Sequence, residues 1–132
     1  MIRVEGYSMA PTILDGDELK IVQVLLSDLK RGDLVLISTE NNGNQQIKRL
    51  IGLPNETVSI DDGKIFINGN LLIEEYKVNP LTYTMDEIKL DSVSYFVLGD
   101  NRPNSSDSHL YGPVKGSAIQ GKAIPWNLVP RK

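Results

Sequence analysis

Ser8 and Lys48 are the residues whose types and settings could together break an acyl bond. Ser8 lies in Gly6-Tyr7-Ser8-Met9-Ala10-Pro11-Thr12. A hydroxyl is a poor nucleophile until a base takes its proton, and an isolated serine fits a turn or a cap equally well. The neighbours narrow the choice. Gly6 lets the backbone approach closely, Pro11 pushes Ala10 out of the helical region, and Pro11-Thr12 sets the chain direction after the serine. The chain has one histidine, His109, and no cysteine. That excludes thiol chemistry, disulfides, thiolate-bound metal and any multi-histidine centre, and it makes the usual base scarce.

Lysine is the other candidate base, but at its unperturbed pKa of about 10.4 it is protonated. Bringing it to ~7–8 takes about 4 kcal/mol of differential stabilisation, which calls for an apolar, water-poor seat. Lys48 lies in Gln45-Gln46-Ile47-Lys48-Arg49-Leu50-Ile51-Gly52. Alternation puts Ile47, Arg49 and Ile51 on one face of a strand and Lys48, Leu50 and Gly52 on the other, so one of the two adjacent charges is expected to face inward. Two solvated strand charges would be the plain alternative. A third stretch, Gly99-Asp100-Asn101-Arg102-Pro103-Asn104-Ser105-Ser106-Asp107-Ser108, offers the hydroxyls, amides and carboxylates needed to orient an amine's N–H groups. Ser105 is the residue expected to do so, with Asp107, Arg102 and Asp100 holding the loop by ion pairing. Read alone, it is a turn-rich loop.

The elements that must position these residues are mostly strands. Period-2 patterning marks 18–26, 33–39, 45–53, 57–60, 64–67, 70–73, 94–98 and 118–124 as extended, with Asn-Gly turns at 40–44 and 68–69 and an Asp-Asp-Gly turn at 61–63. The stretch 74–93 is less regular, and 85–90 is expected to form one helical turn. The fold class is a mostly β, compact multi-stranded sheet or barrel-like domain with little helix. It is expected to be one domain over 1–132, with a hairpin-containing insertion at 55–95.

Composition fits that class. The chain has 132 residues, 40% hydrophobic and 23% charged, with 14 basic against 17 acidic side chains and a net charge of −3. It carries no basic run to attract nucleic acid. No apolar stretch approaches the ~18 residues needed to cross a membrane, and no basic-then-apolar leader follows Met1.

Together the segments resemble the type I signal peptidase family of Ser/Lys proteases. The resemblance rests on Ser8-Met9-Ala10-Pro11-Thr12, Gly16-Asp17, Arg31-Gly32-Asp33 with Val35, Ile47-Lys48-Arg49-Leu50-Ile51-Gly52-Leu53-Pro54, Gly63-Lys64-Ile65-Phe66-Ile67-Asn68-Gly69 with Glu75-Tyr76, and Gly99-Asp100-Asn101-Arg102 through Gly112. These occur in the family's order and span about Val4 to Ala123. The resemblance implies a β-rich catalytic domain that cuts a secretory leader from an exported preprotein, with small residues before the cut. Ser8 would be the nucleophile, Lys48 the general base and then acid, Ser105 the residue orienting Lys48, and the Ser8 backbone N–H part of the oxyanion hole. Val4, Leu34, Leu50 and Ile51 are expected to line the substrate site. No metal or cofactor is implied.

Two positions depart from the family's pattern. Gly6 stands where many members have a serine or threonine that helps the oxyanion hole, and His109 stands where they have an arginine. Family members also carry an N-terminal membrane segment, so the expected location is the extracytoplasmic face of a membrane, with association at its surface. A cytoplasmic location is the alternative for the chain as it stands. Two other readings share the residues: a cytoplasmic, anchorless Ser/Lys maturation or self-cleaving regulatory protease, and an inactive peptide-binding module.

Overall fold

A computed structural model of the chain describes residues 1–38 and 44–129. Its strands are β1 (Ile2–Arg3), β2 (Glu18–Val22), β3 (Leu34–Ser38), β4 (Gln45–Gly52), β5 (Thr57–Asp61), β6 (Lys64–Ile67), β7 (Asn70–Leu71), β8 (Met85–Lys89), β9 (Ser94–Leu98), β10 (Val114–Lys115) and β11 (Ile119–Pro125). They form a seven-stranded sheet in the order β1-β2-β11-β3-β4-β9-β10 and a four-stranded sheet in the order β7-β6-β5-β8, antiparallel throughout. The larger sheet curls into a half-barrel. The one α-helical turn described, α1, is Ser108–Tyr111. The mostly β class is therefore correct.

Alternation explains why the central strands are apolar on both sides. In β3, Leu34 and Leu36 pack with Met9, Ile13, Leu19, Ile47 and Ala123, while Val35 and Ile37 pack on the opposite face with Leu29, Leu50, Tyr95 and Val97. A third cluster joins the sheets: Ile51, Phe96 and Leu98 from the larger one meet Val58, Ile60, Ile65 and Ile67 from the smaller. Two short turns set the register of the second sheet. Asp62 and Gly63 (φ 49° and 80°) and Asn68 and Gly69 (φ 50° and 81°) take the left-handed pairs that two-residue hairpins need.

Several expectations require correction. Within 85–90, Met85–Lys89 form strand β8 rather than a helical turn. Between the pairs Val58↔Ile88 and Ile60↔Met85 the β8 side holds one extra residue. That bulge puts Met85 and Ile88, three apart, against the same cluster and so imitates helical spacing. The strand expected over 18–26 stops at Val22, and Leu26–Asp28 form a single 3-10 turn that leaves Leu25 and Leu26 exposed. Strands β1 and β10, two residues each, were too short to show a period. The Asn-Gly turn at 40–44 lies, but for Asn44, outside the described residues.

Candidate active site

Ser8 sits on a tight turn rather than a strand. Ala10 N–H donates to the Tyr7 carbonyl, and Thr12 and Ile13 N–H both donate to the Met9 carbonyl. Met9 and Ile13 are nearly inaccessible and plug into the cluster under the half-barrel, so the turn is seated by its apolar side. Gly6 enters it at φ 91°, a conformation that favours glycine, and its N–H donates to Asp15 Oδ1 at 2.8 Å. The Ala10–Pro11 peptide is cis. The Ser8 backbone N–H and hydroxyl have no hydrogen-bond partner among the described residues.

Lys48 is 2% exposed and Arg49 7%. Alternation led to one of the two facing inward, but both are buried: β4 is covered on both faces, and each charge has its own buried counter-ion. On one face, Lys48 Nζ donates to Ser105 Oγ at 2.8 Å and lies 2.7 Å from Asp107 Oδ1. Ser105 Oγ in turn donates to Asp107 Oδ1 at 2.5 Å, while Asp107 Oδ2 accepts Gly99 N–H at 2.8 Å. The seat is buried, yet it is not the apolar one expected. Burial strips water from the amine, and Asp107 supplies the opposite charge.

On the other face, Arg49 Nε and Nη2 donate to Asp100 Oδ1 and Oδ2 at 3.2 and 2.5 Å, and Nη1 donates to the Gly32 carbonyl at 2.9 Å. Its guanidinium lies 3.7 Å from the centroid of the Tyr76 ring. Asp100 also accepts the Thr12 hydroxyl at 2.5 Å. Arg102, 3% exposed, donates to Glu74 through Nη1 and Nη2 at 2.5 and 2.6 Å and to the Gly99 carbonyl through Nε at 3.0 Å. Burial pushes the Glu74 carboxyl up, but the Arg102 hydrogen bond and charge outweigh it and leave it below its ordinary 4.5. Burial and the hydrogen bond to Glu74 raise the Tyr76 phenol well above its usual range. Glu74 is the acid that pairs here, rather than the Glu75 of the sequence motif.

Ser8, Lys48 and Ser105 line one open cavity of about 500 Å³. Its apolar wall comes from Ile2, Val4, Met9, Leu36 and Ile47. Val4 lines this cavity. Leu34, Leu50 and Ile51 do not: Leu34 packs in the cluster under the half-barrel, and Leu50 and Ile51 are fully buried on opposite faces of β4. Asp100, Arg102 and Asp107 each pair with a residue outside their own loop. Gly99 shows why that loop passes so near Ser8. A Cβ there would collide with Ser105 Oγ and the Ser8 carbonyl. The residues that sequence reasoning missed are Arg49, Thr12, Tyr76 and Glu74. One signal pointed to Arg49, a second charge inside a strand otherwise apolar on both faces. The His109 side chain lies outside the described residues.

This arrangement puts a hydroxyl, a buried amine and an uncommitted backbone donor beside one groove. The signal peptidase family model (peptidase S26) matches residues 1–127, and the chain belongs to that family. It is 37% identical over 129 residues to the probable signal peptidase I-2 of Synechocystis sp., covering 92% of this chain and 59% of that protein. It is 40% identical over 117 residues to signal peptidase I T of Bacillus subtilis, covering 80% and 61%. The crystal structure of a signal peptidase I from Enterococcus faecalis is similar at a TM-score of 0.61 and 33% identity, over 72% of this chain and 96% of that one. The chain thus spans about three fifths of the length of those two relatives.

Proposed function

We propose that the chain is a serine endopeptidase that removes leader peptides from exported preproteins, with Ser8 as nucleophile and Lys48 as general base. The observation that carries this reading is the buried Lys48–Ser105–Asp107 cluster opening with Ser8 onto one cavity. A neutral amine has two N–H groups and one lone pair. With the N–H groups turned to Ser105 Oγ and Asp107 Oδ1, the lone pair is left to face the cavity. There it takes the Ser8 proton as Oγ attacks the scissile carbonyl. The free Ser8 N–H receives the developing oxyanion. Lys48 then gives its proton to the leaving amine, and water releases the acyl group by the same route in reverse.

Strand geometry supports an extended substrate. Strand β9 pairs with β4 only from Arg49 onward, so Gln45–Lys48 has one edge without a strand partner among the described residues. β1 is an end strand and faces the same cavity. A leader peptide would lie there as an added strand, its small side chains against Val4, Leu36 and Ile47. We read the chain as one catalytic domain with 55–95 as an insertion. It works at a membrane surface, on the extracytoplasmic side; Tyr7 and Leu14, both exposed beside the nucleophile turn, suit such contact. No described helix is long and apolar enough to cross a membrane.

Cleavage of a purified preprotein in detergent or lipid tests the reading. Ser8→Ala and Lys48→Met should each lower the rate by at least about 10⁴-fold. Near-parental activity in Lys48→Met would refute the dyad. One observation favours a second reading, a peptide-binding module without turnover: the amine bonds Ser105 and Asp107 rather than Ser8. Binding of a leader peptide without any cleavage would establish it.

A further inference from the structure

The turn that carries Ser8 is fastened on its polar side by two consecutive residues, Asp100 and Asn101. Asn101 N–H donates to the Ser8 carbonyl and Asn101 Nδ2 to the Tyr7 carbonyl, each at 3.0 Å. Thr12 Oγ1 donates to Asp100 Oδ2 at 2.5 Å. That same oxygen accepts Arg49 Nη2, also at 2.5 Å. Arg49 directly follows Lys48 on β4, so a single fully buried carboxylate touches both the nucleophile's turn and the strand that holds the base. Thr12 reports to Ser8 through one peptide link: its N–H donates to the carbonyl of Met9, the next residue after Ser8.

We propose that Thr12 is a positioning residue, its hydroxyl using Asp100 to set the turn of Ser8 against the strand of Lys48. This deepens the peptidase reading and rests on it for its kinetic consequences. The contact is a latch rather than a support. Met9 and Ile13 still seat the turn in the apolar cluster when the hydroxyl is gone, and Asp100 keeps its two hydrogen bonds from Arg49. Loss of the hydroxyl therefore frees the angle of the turn more than it weakens the fold. A shift of about 1 Å between reacting groups can cost about a hundredfold in rate.

Thr12→Val keeps the shape and removes the donor, and Thr12→Ser keeps the donor. Thr12→Val should lower kcat by about ten- to a hundredfold with KM within about threefold of the parent, and Thr12→Ser should restore most of it. Amide hydrogen exchange supplies the readout that does not depend on turnover. The Thr12 and Ile13 amides should exchange faster in Thr12→Val than in the parent or Thr12→Ser, with the thermal midpoint little changed. If Thr12→Val keeps full kcat, or Thr12→Ser is as slow as Thr12→Val, the latch is wrong. Unchanged exchange in Thr12→Val overturns it as well. If the parent itself cleaves no leader peptide, the peptidase reading fails, and the exchange comparison alone decides whether Thr12 holds the turn.

Discussion

Lys48 and Arg49 are neighbours in sequence with opposite surroundings. Lys48 shares a carboxylate with a hydroxyl; Arg49 shares one with a second hydroxyl and lies over an aromatic ring. Each pair is fully or nearly desolvated, so removing one partner leaves a stranded charge. Ser105→Ala should therefore act differently from Asp107→Ala. The first removes an acceptor that aims the amine and should cost about ten- to a hundredfold in kcat with the fold intact. The second strips the buried ammonium of its counter-charge and should lower stability by about 3–5 kcal/mol, seen as a fall in the denaturant midpoint. Equal loss of stability in both would mean that Ser105 is structural. Ser8, Lys48 and the Gly-Asp-Asn-Arg loop could be singled out from the sequence because they stand in a recognisable order, and the fold brings them to one cavity or its border. The counter-ion of Arg49 could not be, because alternation assigns one of two adjacent charges to solvent unless both faces are known to be covered.

Elements fix these contacts through close approach. Gly52 ends β4 where a Cβ would come within 2.7 Å of Val58, 2.9 Å of Leu90 and 3.0 Å of Phe96. Gly52→Ala should cost about 1–3 kcal/mol by overpacking, read as a lower thermal midpoint. The Arg102–Glu74 pair ties the loop after β9 to the irregular stretch before β8. Because the folded-state value of Glu74 is depressed below 4.5, its contribution is complete above that pH and is lost as pH falls through the folded value. Glu74→Gln should be less stable than the parent near about pH 7 and lose less of its stability on acidification to about pH 3. A parallel loss in both proteins would exclude Glu74 from the acid transition. At this scale the hairpins were readable from Asp-Gly and Asn-Gly, whereas β8 was hidden by its bulge, and the end of β2 by the apolar residues that continue past it.

Across the whole molecule, the cluster of Ile51, Val58, Ile60, Phe96 and Leu98 makes the two sheets one unit of stability. Phe96→Ala should cost about 3–5 kcal/mol and lower a single unfolding transition rather than split it. Two separated transitions would show that the smaller sheet melts alone. The mostly β class could be read from period-2 runs, but the way one sheet leans on the other could not. Apolar residues in β5 and β9 look alike whether they meet each other or a separate core.

Gln45–Lys48 has one edge without a strand partner among the described residues while Arg49–Gly52 is enclosed, and, Lys48 apart, this divides the strand by its capacity to change. On the peptidase reading, exchanging Ile47 and, across the groove, Val4 for other apolar residues should retune which leaders are accepted. Residues 49–52 cannot vary without disturbing the Arg49–Asp100 ion pair and a glycine contact. On that reading, evolvability therefore lies at one end of a single strand, and libraries aimed at new leader preferences should sample Ile2, Val4, Leu36 and Ile47 while holding Lys48 and the strand's second half fixed.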